Sequence, residues 1–386
     1  MRTWKGPMRK ASGPMLIFLL AAYLGAATQP VEWRVEVVDP TATGKYSQLR
    51  MDTLGNAHVA YWDGGRDNML KYAFWDRNLR KWFTQTLDRS GGHSSMVLDS
   101  KGHPNISYGD YGTASLKYIH WDGSGWQKQN IQINAKDISF YSSITLDLKD
   151  NPRISFYEYW GTGENYLLHL RNVFFNGQFW EVATIDPTPG SGKMNSIATD
   201  SKGNPHVLYA NVKSENASLR YASWNGKSWD VEILEGAAKP YGVANVALIL
   251  DKEDTPHITY GDAEKNLIKY ATRRNGRWDI QVVDSVTELT FPDRNGIALD
   301  EQGNPYISYV DVRNQTVKMA YRRNQRWTAE IVDQNVSGFT PSLQIDRGVI
   351  WIAYADEFAR VLKCARRPLD LPTASVRLTT PEPSTK

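Results

Sequence analysis

The sequence predicts an all-β fold, a seven-bladed β-propeller of four-stranded antiparallel blades, closed by an N-terminal strand that completes the last blade. Three observations predict it. The chain of 386 residues carries 14 Trp and 20 Tyr, residues that suit sheets more than helices. An Asp-centred pattern recurs at Asp52, Asp99, Asp147, Asp200, Asp251, Asp300 and Asp346, spaced 46 to 53 residues apart, within the period of propeller blades. Finally, the seventh copy stops one strand short, and a matching strand stands alone near the N-terminus.

Each blade can be read strand by strand. From Ser94 the chain runs SSMVLDSKGHPNISYGD and then LKYIHWDGSGW; from Ser196 it runs SIATDSKGNPHVLYAN and then LRYASWNGKSW. Strand a, such as Met96 to Leu98 or Ile297 to Leu299, ends at the anchor Asp. That Asp caps a D-x-x-G turn whose Gly102, Gly203 and Gly303 take positive φ. Asp150 and Asp254 replace the Gly in two copies, and Asp is among the few residues that tolerate the left-handed region. Pro104, Pro152, Pro205, Pro256 and Pro305 begin strand b, where a missing N–H costs least. Strand c is the LKYA segment at Leu70, Leu116, Leu168, Leu219, Ile268, Val317 and Leu362. Asn-Gly and Asp-Gly signals at Gly123, Gly177, Gly226 and Gly276 close hairpins. Strand d opens on Trp82, Trp126, Trp180, Trp229, Trp278 and Trp327.

Trp33 is the seventh such Trp, but no a, b or c strand precedes it. The seventh copy ends after its c strand, at Arg366. Residues 33 to 38 are therefore expected beside the strand around Leu362, which pairs both edges and ties the ring shut.

Residues 1–27 hold Arg2, Lys5, Arg9 and Lys10, no acid, an apolar run from Met15 to Leu24 and then small residues, the pattern of a signal peptide. The protein is expected to be secreted or periplasmic, with no membrane span once that segment is cleaved. The propeller is expected over 28–367 and a disordered tail over 368–386, which has Pro and Thr and no apolar period. Without the leader's four positive charges the formal net charge of +3 falls to about −1, which removes the main support for nucleic-acid binding. Cys364 is the only cysteine, so no disulfide framework or thiolate metal site is expected, nor any cofactor or metal. A monomer is expected.

Strand b carries an acid or amide after its Tyr (Asp63, Asp110, Glu158, Asn211, Asp262, Asp311 and Asp356). Strand c carries a matching base (Lys71, Lys117, His169, Arg220, Lys269, Lys318 and Lys363). A cross-strand ion pair in every blade accounts for both rows better than a carboxylate pair for glycoside hydrolysis. His58, His206 and His257 occupy one equivalent position and are read as framework, not as metal ligands. Function is expected where the repeat is irregular, on the face made by the loops entering strand a and joining b to c. The residue six before each anchor Asp should lie at the mouth there: Tyr46, His93, Tyr141, Met194, Asn245, Arg294 and Thr340. Trp62, Tyr111, Tyr159 and Trp160 add aromatic surface. Such rings beside Arg, His and Asn suit carbohydrate, whose C–H faces stack on aromatic planes.

The repeat resembles the bacterial neuraminidase-repeat and sialidase-like propellers, and more loosely the propeller lectins and polysaccharide lyases, over nearly the whole mature chain. The W-x-G-x-x-W hairpins at Trp121 to Trp126 and Trp224 to Trp229 carry the likeness to the sialidase Asp box. The Asp turn here joins strands a and b, however, where the box joins c and d. The sialidase resemblance would imply three converging arginines, for which Arg50, Arg294 and Arg313 are candidates, but no F/Y-R-I-P-like segment is present. The lyase resemblance would cast His93, Tyr141 and Arg294 as base and charge neutraliser. The leading expectation is an exported, non-catalytic propeller that binds a glycan or other cell-surface ligand. A sialidase-like hydrolase or polysaccharide lyase, and a protein-interaction scaffold, stand as alternatives.

Overall fold

The computed structural model describes residues 32–64, 68–110, 112–132, 137–160, 167–213, 217–237, 239–289 and 294–369. The signal peptide at 1–27, Tyr111 and nearly all of the tail lie outside them. Pro368, assigned to the tail from sequence, instead ends the last strand, Val361–Pro368. Among the described residues no helix is long and apolar enough to cross a membrane.

The strands of the described residues form seven four-stranded sheets. Blades 1 to 6 span 45–88, 95–130, 137–186, 191–236, 243–285 and 296–334. Blade 7 spans 338–368 and takes Arg34–Asp39 as its fourth strand, antiparallel to Val361–Pro368, with Arg34 opposite Arg366 and Asp39 opposite Leu362. The turns hold as their chemistry requires. Asp99 Oδ1 accepts the N–H groups of Lys101 and His103 at 2.9 and 2.8 Å, and Pro104 begins its strand. Asp150 and Asp254 adopt φ of 62° and 61°. Their replacement of Gly has a use, because each carboxylate accepts two bonds from a serine of the preceding blade. Ser100 donates to Asp150 at 3.1 and 2.6 Å, and Ser201 to Asp254 at 2.7 and 2.6 Å.

The ion-pair reading needs correction. Among the described residues the pairs within a blade form in three copies, Asp110–Lys117 at 2.6 Å, Asp262–Lys269 at 2.9 Å and Asp356–Lys363 at 2.8 Å. In blade 3 Glu158 pairs with Arg171, not His169. The more regular partner is an acid ending strand d of the preceding blade. Lys71 meets Asp39 at 2.6 Å, Lys117 meets Asp88 at 3.4 Å, Arg220 meets Asp186 at 3.1 Å, and Lys363 meets Asp333 at 3.1 Å, with Lys269–Glu235 and Lys318–Asp284 alike. The buried strand-b tyrosine donates to the same acid, as Tyr61 does to Asp39 at 2.6 Å and Tyr354 to Asp333 at 2.7 Å. Six seams carry this tyrosine, acid and base latch. Blade 3 has Phe156 for the tyrosine, His169 for the base and Gln132 where the acid would fall, so all three members change together.

A second seam lies further out. Five of the strand-d tryptophans donate Nε1–H to the residue three past the Trp of the preceding blade, as Trp82 does to Glu36 at 3.0 Å and Trp278 to Glu232 at 3.1 Å. At the closing seam Arg366 also lies between Trp75 and Trp351, 4.4 and 5.0 Å from their ring centroids, and bonds Glu36 at 3.1 Å. Gly44, at φ 71°, runs so close to Leu362 that a Cβ there would come within 2.8 Å of it. The strands Arg34–Asp39 and Val361–Pro368 are thus joined by pairing, a charged bond and close packing.

Candidate functional site

Strand a lies innermost, and in five blades its pairing shifts where the residue six before the anchor Asp falls: between Lys45 and Gln48, Ile138 and Ser142, Lys193 and Ser196, Ala244 and Ala247, and Phe339 and Ser342. A bulge re-aims a side chain. Tyr46, Met194, Asn245 and Thr340 take φ of 52°, 51°, 54° and 40° at that one position, a backbone uncommon for non-glycine residues and rare for a β-branched one.

The consequence is convergence. Tyr46, His93, Tyr141, Met194, Arg294 and Thr340 line one enclosed spot. His93 is sandwiched between Tyr46 and Tyr141, with ring centroids 3.8 and 3.9 Å away. Tyr46 also stacks on Trp62 at 5.7 Å and Tyr141 on Tyr157 at 5.9 Å. Five rings therefore make a continuous arc from blade 1 through blade 2 to blade 3. Tyr157, not singled out from sequence, completes it. Asn245 joins through a backbone bridge to Arg294. The side chains of Tyr159 and Trp160 lie outside the described residues.

The mouth is filled. Met194, Thr340, Asn245 and His93 are buried there, while Tyr46, Trp62, Tyr141 and Tyr157 keep part of their surface exposed. Burial, helped by the charges of Arg294 and Lys193, holds His93 well below the usual histidine range, so it is neutral at pH 7. Lys193 reaches Tyr241, its Nζ 3.1 Å from the hydroxyl and 4.4 Å from the ring centroid.

Below this layer runs an axial channel of about 200 Å³, lined by Arg50, Arg294 and the strand-a serines Ser95, Ser143, Ser196 and Ser342. Two of the three candidate arginines thus share one space. Arg313 does not, since it is largely exposed and faces Glu288 at 3.9 Å. Burial and the other's charge push Arg294 down to about 10, and burial alone does the same to Arg50.

The three equivalent histidines point elsewhere. His58, His206 and His257 each set Nδ1 against a strand-c tyrosine hydroxyl at 2.6, 2.5 and 2.6 Å, and Nε2 toward the anchor Asp at 3.4, 3.5 and 3.2 Å. His257 borders a pocket of about 490 Å³ between blades 5 and 6, and His58 borders one of about 510 Å³ between blades 1 and 2, with Phe83, Gln85, His103, Trp121 and Trp126 in its wall. Here the outer seam is open: Trp126 Nε1 has no partner among the described residues. Sequence reading missed this pocket because Trp126 looks like every other strand-d Trp.

No family model matches the sequence, and no curated protein does. Similar solved structures share the fold. An ulvan lyase of polysaccharide lyase family 25, bound to -[GlcA(1-4)Rha3S]-, is 13% identical, with a TM-score of 0.55 over 86% of this chain and 95% of that one. Polysaccharide lyase Uly1 is 10% identical, at 0.53 over 87% and 91%. The lectin SapL1, in complex with alpha methyl fucoside, is 14% identical, at 0.54 over 78% and 99%. Sialidases are also among the similar structures. At these identities the likeness shows a propeller fold.

Proposed function

We propose that this protein is an exported carbohydrate-binding propeller that holds a sugar chain across the ring arc Trp62, Tyr46, His93, Tyr141 and Tyr157 without altering it. The arc carries the reading. Part-exposed aromatic planes placed side by side offer stacking surface for the C–H faces of successive sugar units, with Lys193 and Tyr241 alongside for hydroxyl or acidic groups. The filled mouth supports binding on the face over insertion into the axis. The lyases and lectins of like fold, named for polysaccharide and fucoside ligands, support the ligand class.

A second reading, polysaccharide lyase, is favoured by one observation: a neutral histidine stands between two tyrosines with Arg294 close by. A base and a cation are what proton abstraction beside a uronate carboxylate needs.

The test is a panel of neutral and acidic oligosaccharides titrated calorimetrically into the purified full chain, with absorbance of unsaturated uronate followed in parallel. Saturable binding without product, weakened about tenfold or more in Trp62→Ala, supports the binding reading. Product formation lost in His93→Ala supports the lyase. Binding lost only in Trp121→Ala moves the seat to the pocket between blades 1 and 2.

A further inference from the structure

The axial channel has an unbalanced charge. Arg50 and Arg294 both line it, and neither forms an ion pair with a carboxylate among the described residues. Arg50 Nη1 donates to the carbonyl of Leu49 at 2.8 Å and Nη2 more weakly to Gln48 Oε1 at 3.5 Å. Arg294 Nη2 donates to the carbonyl of Ser142 at 2.8 Å. A guanidinium has five N–H donors, so most of them are left over. No Asp or Glu is among the residues lining the channel. Two like charges enclosed together without a counter-charge are costly.

The serines add to the imbalance. Ser95 Oγ accepts the N–H of Ile144, Ser143 Oγ that of Ile197 and Ser196 Oγ that of Leu248, each at 3.2 Å, and Ser342 Oγ that of Leu49 at 2.9 Å. This repeat stitches the innermost strand of one blade to the next. It also occupies each hydroxyl as an acceptor, and no described residue takes the hydroxyl's own proton. The channel wall therefore presents two cations and four O–H donors, with little to receive them.

We propose that the axial channel is an anion site, in which a free small oxyanion such as sulfate or phosphate is held by Arg50 and Arg294 and the serine hydroxyls. The ring layer above favours a free ion over the acidic group of a sugar. The spot enclosed by Tyr46, His93 and Tyr141 leaves only about 10 Å³, too little for a sugar ring to pass, whereas the channel's 200 Å³ accommodates an ion and water. The ion neutralises the axis of the ring and ties together blades that contribute to it from opposite sides. This inference does not rest on the sugar-binding reading.

The experiment is calorimetric and thermal-unfolding titration of the full chain with sulfate, phosphate and glucuronate at constant ionic strength. Parent, Arg50→Gln, Arg294→Gln, Arg313→Gln and Trp62→Ala proteins are compared. Sulfate or phosphate should bind saturably to parent, Arg313→Gln and Trp62→Ala alike, with the dissociation constant raised at least tenfold in Arg50→Gln and Arg294→Gln. In buffer free of oxyanions those two variants should unfold at or above the parent temperature, because a repulsion has been removed. At saturating sulfate the order should reverse, since only the parent gains from bound ion. Equal midpoint shifts in all five proteins, or no saturable binding to the parent, would overturn the site. Binding of glucuronate without sulfate or phosphate would overturn its assignment to a free ion.

Discussion

Replacing Asp39 with Ala tests how the ring is held shut. Its carboxylate is 2% exposed and faces Lys71 Nζ at 2.6 Å, and it accepts the Tyr61 hydroxyl at 2.6 Å and the Thr41 N–H at 2.8 Å. Asp39→Ala leaves Lys71, 11% exposed, with Thr41 Oγ1 at 3.1 Å as its one hydrogen-bond acceptor among the described residues, and the buried Tyr61 hydroxyl without its acceptor. Breaking a buried pair in this way costs on the order of 3–5 kcal/mol. Asp88→Ala at the next seam should cost less, roughly 1–3 kcal/mol, because Lys117 keeps Asp110 at 2.6 Å. Adding Lys71→Met to Asp39→Ala removes the stranded cation, so the double variant should lose about 1–3 kcal/mol less than the sum of the singles. Urea unfolding followed by tryptophan fluorescence reads the parent, the three single variants Asp39→Ala, Asp88→Ala and Lys71→Met, and the double variant. The reasoning fails if Asp39→Ala is no worse than Asp88→Ala, or if the two substitutions simply add.

Acid should weaken the fold in two stages, measured as the urea midpoint between pH 7 and pH 2. Burial holds His58, His93, His206 and His257 below the ordinary histidine range, so from about pH 6.5 downward protons bind the unfolded chain more readily than the folded one, and stability falls. For Asp39, Asp88 and Asp186, burial alone would raise the pKa, but bonds from their latch partners together with Thr41 at Asp39, Lys128 at Asp88, and Thr188 and Ser191 at Asp186 outweigh it and hold each below the carboxylate range. Their contribution is complete above about pH 4 and is lost as pH falls through the depressed folded values; a midpoint flat from pH 7 to pH 5 would contradict the first stage. Cys364 is fully buried and burial raises its thiol pKa, so a thiol reagent at pH 8 should label it only after unfolding, and rapid labelling of native protein would count against its place in the closing seam. Ser201→Ala should cost about 1 kcal/mol or less, because the hydroxyl bond to Asp254 is lost while the backbone N–H of residue 201 still donates to the carboxylate, whereas Asp254→Gly should lie within about 1 kcal/mol of the parent, because the lost bonds are offset by relief of a positive φ. A loss above about 2 kcal/mol in Asp254→Gly, the full worth of both bonds, would show that φ is not strained.

Ring closure was legible because Trp33 lacked the three strands that precede every other strand-d Trp, and only a circular arrangement gives it neighbours. The convergence of Tyr46, His93, Tyr141 and Arg294 was legible for a related reason. Equivalent positions in different blades meet only at the axis, and residues that vary at such a position stand out against a regular frame. Partner choice was less so. Lys71 and Asp63 lie on adjacent strands, but the preferred acid, Asp39, ends the outer strand of the neighbouring blade, where the chain crosses inward. The acids Asp39, Asp88, Asp186, Glu235, Asp284 and Asp333 were a visible row, but their tie to Tyr61 and its equivalents appears only when two blades are set side by side. Nor could sequence show the mouth filled, since that depends on the bulges that turn Tyr46 and Met194 inward.

The most direct measurement is a crystal structure of the full chain with an oligosaccharide selected from the binding panel. The account predicts a sugar ring stacked within about 4 Å of Trp62, Tyr46 or Tyr141 on the face of the propeller, with its glycosidic bonds intact. A ligand seated only between blades 1 and 2, or a cleaved product beside His93, would contradict it.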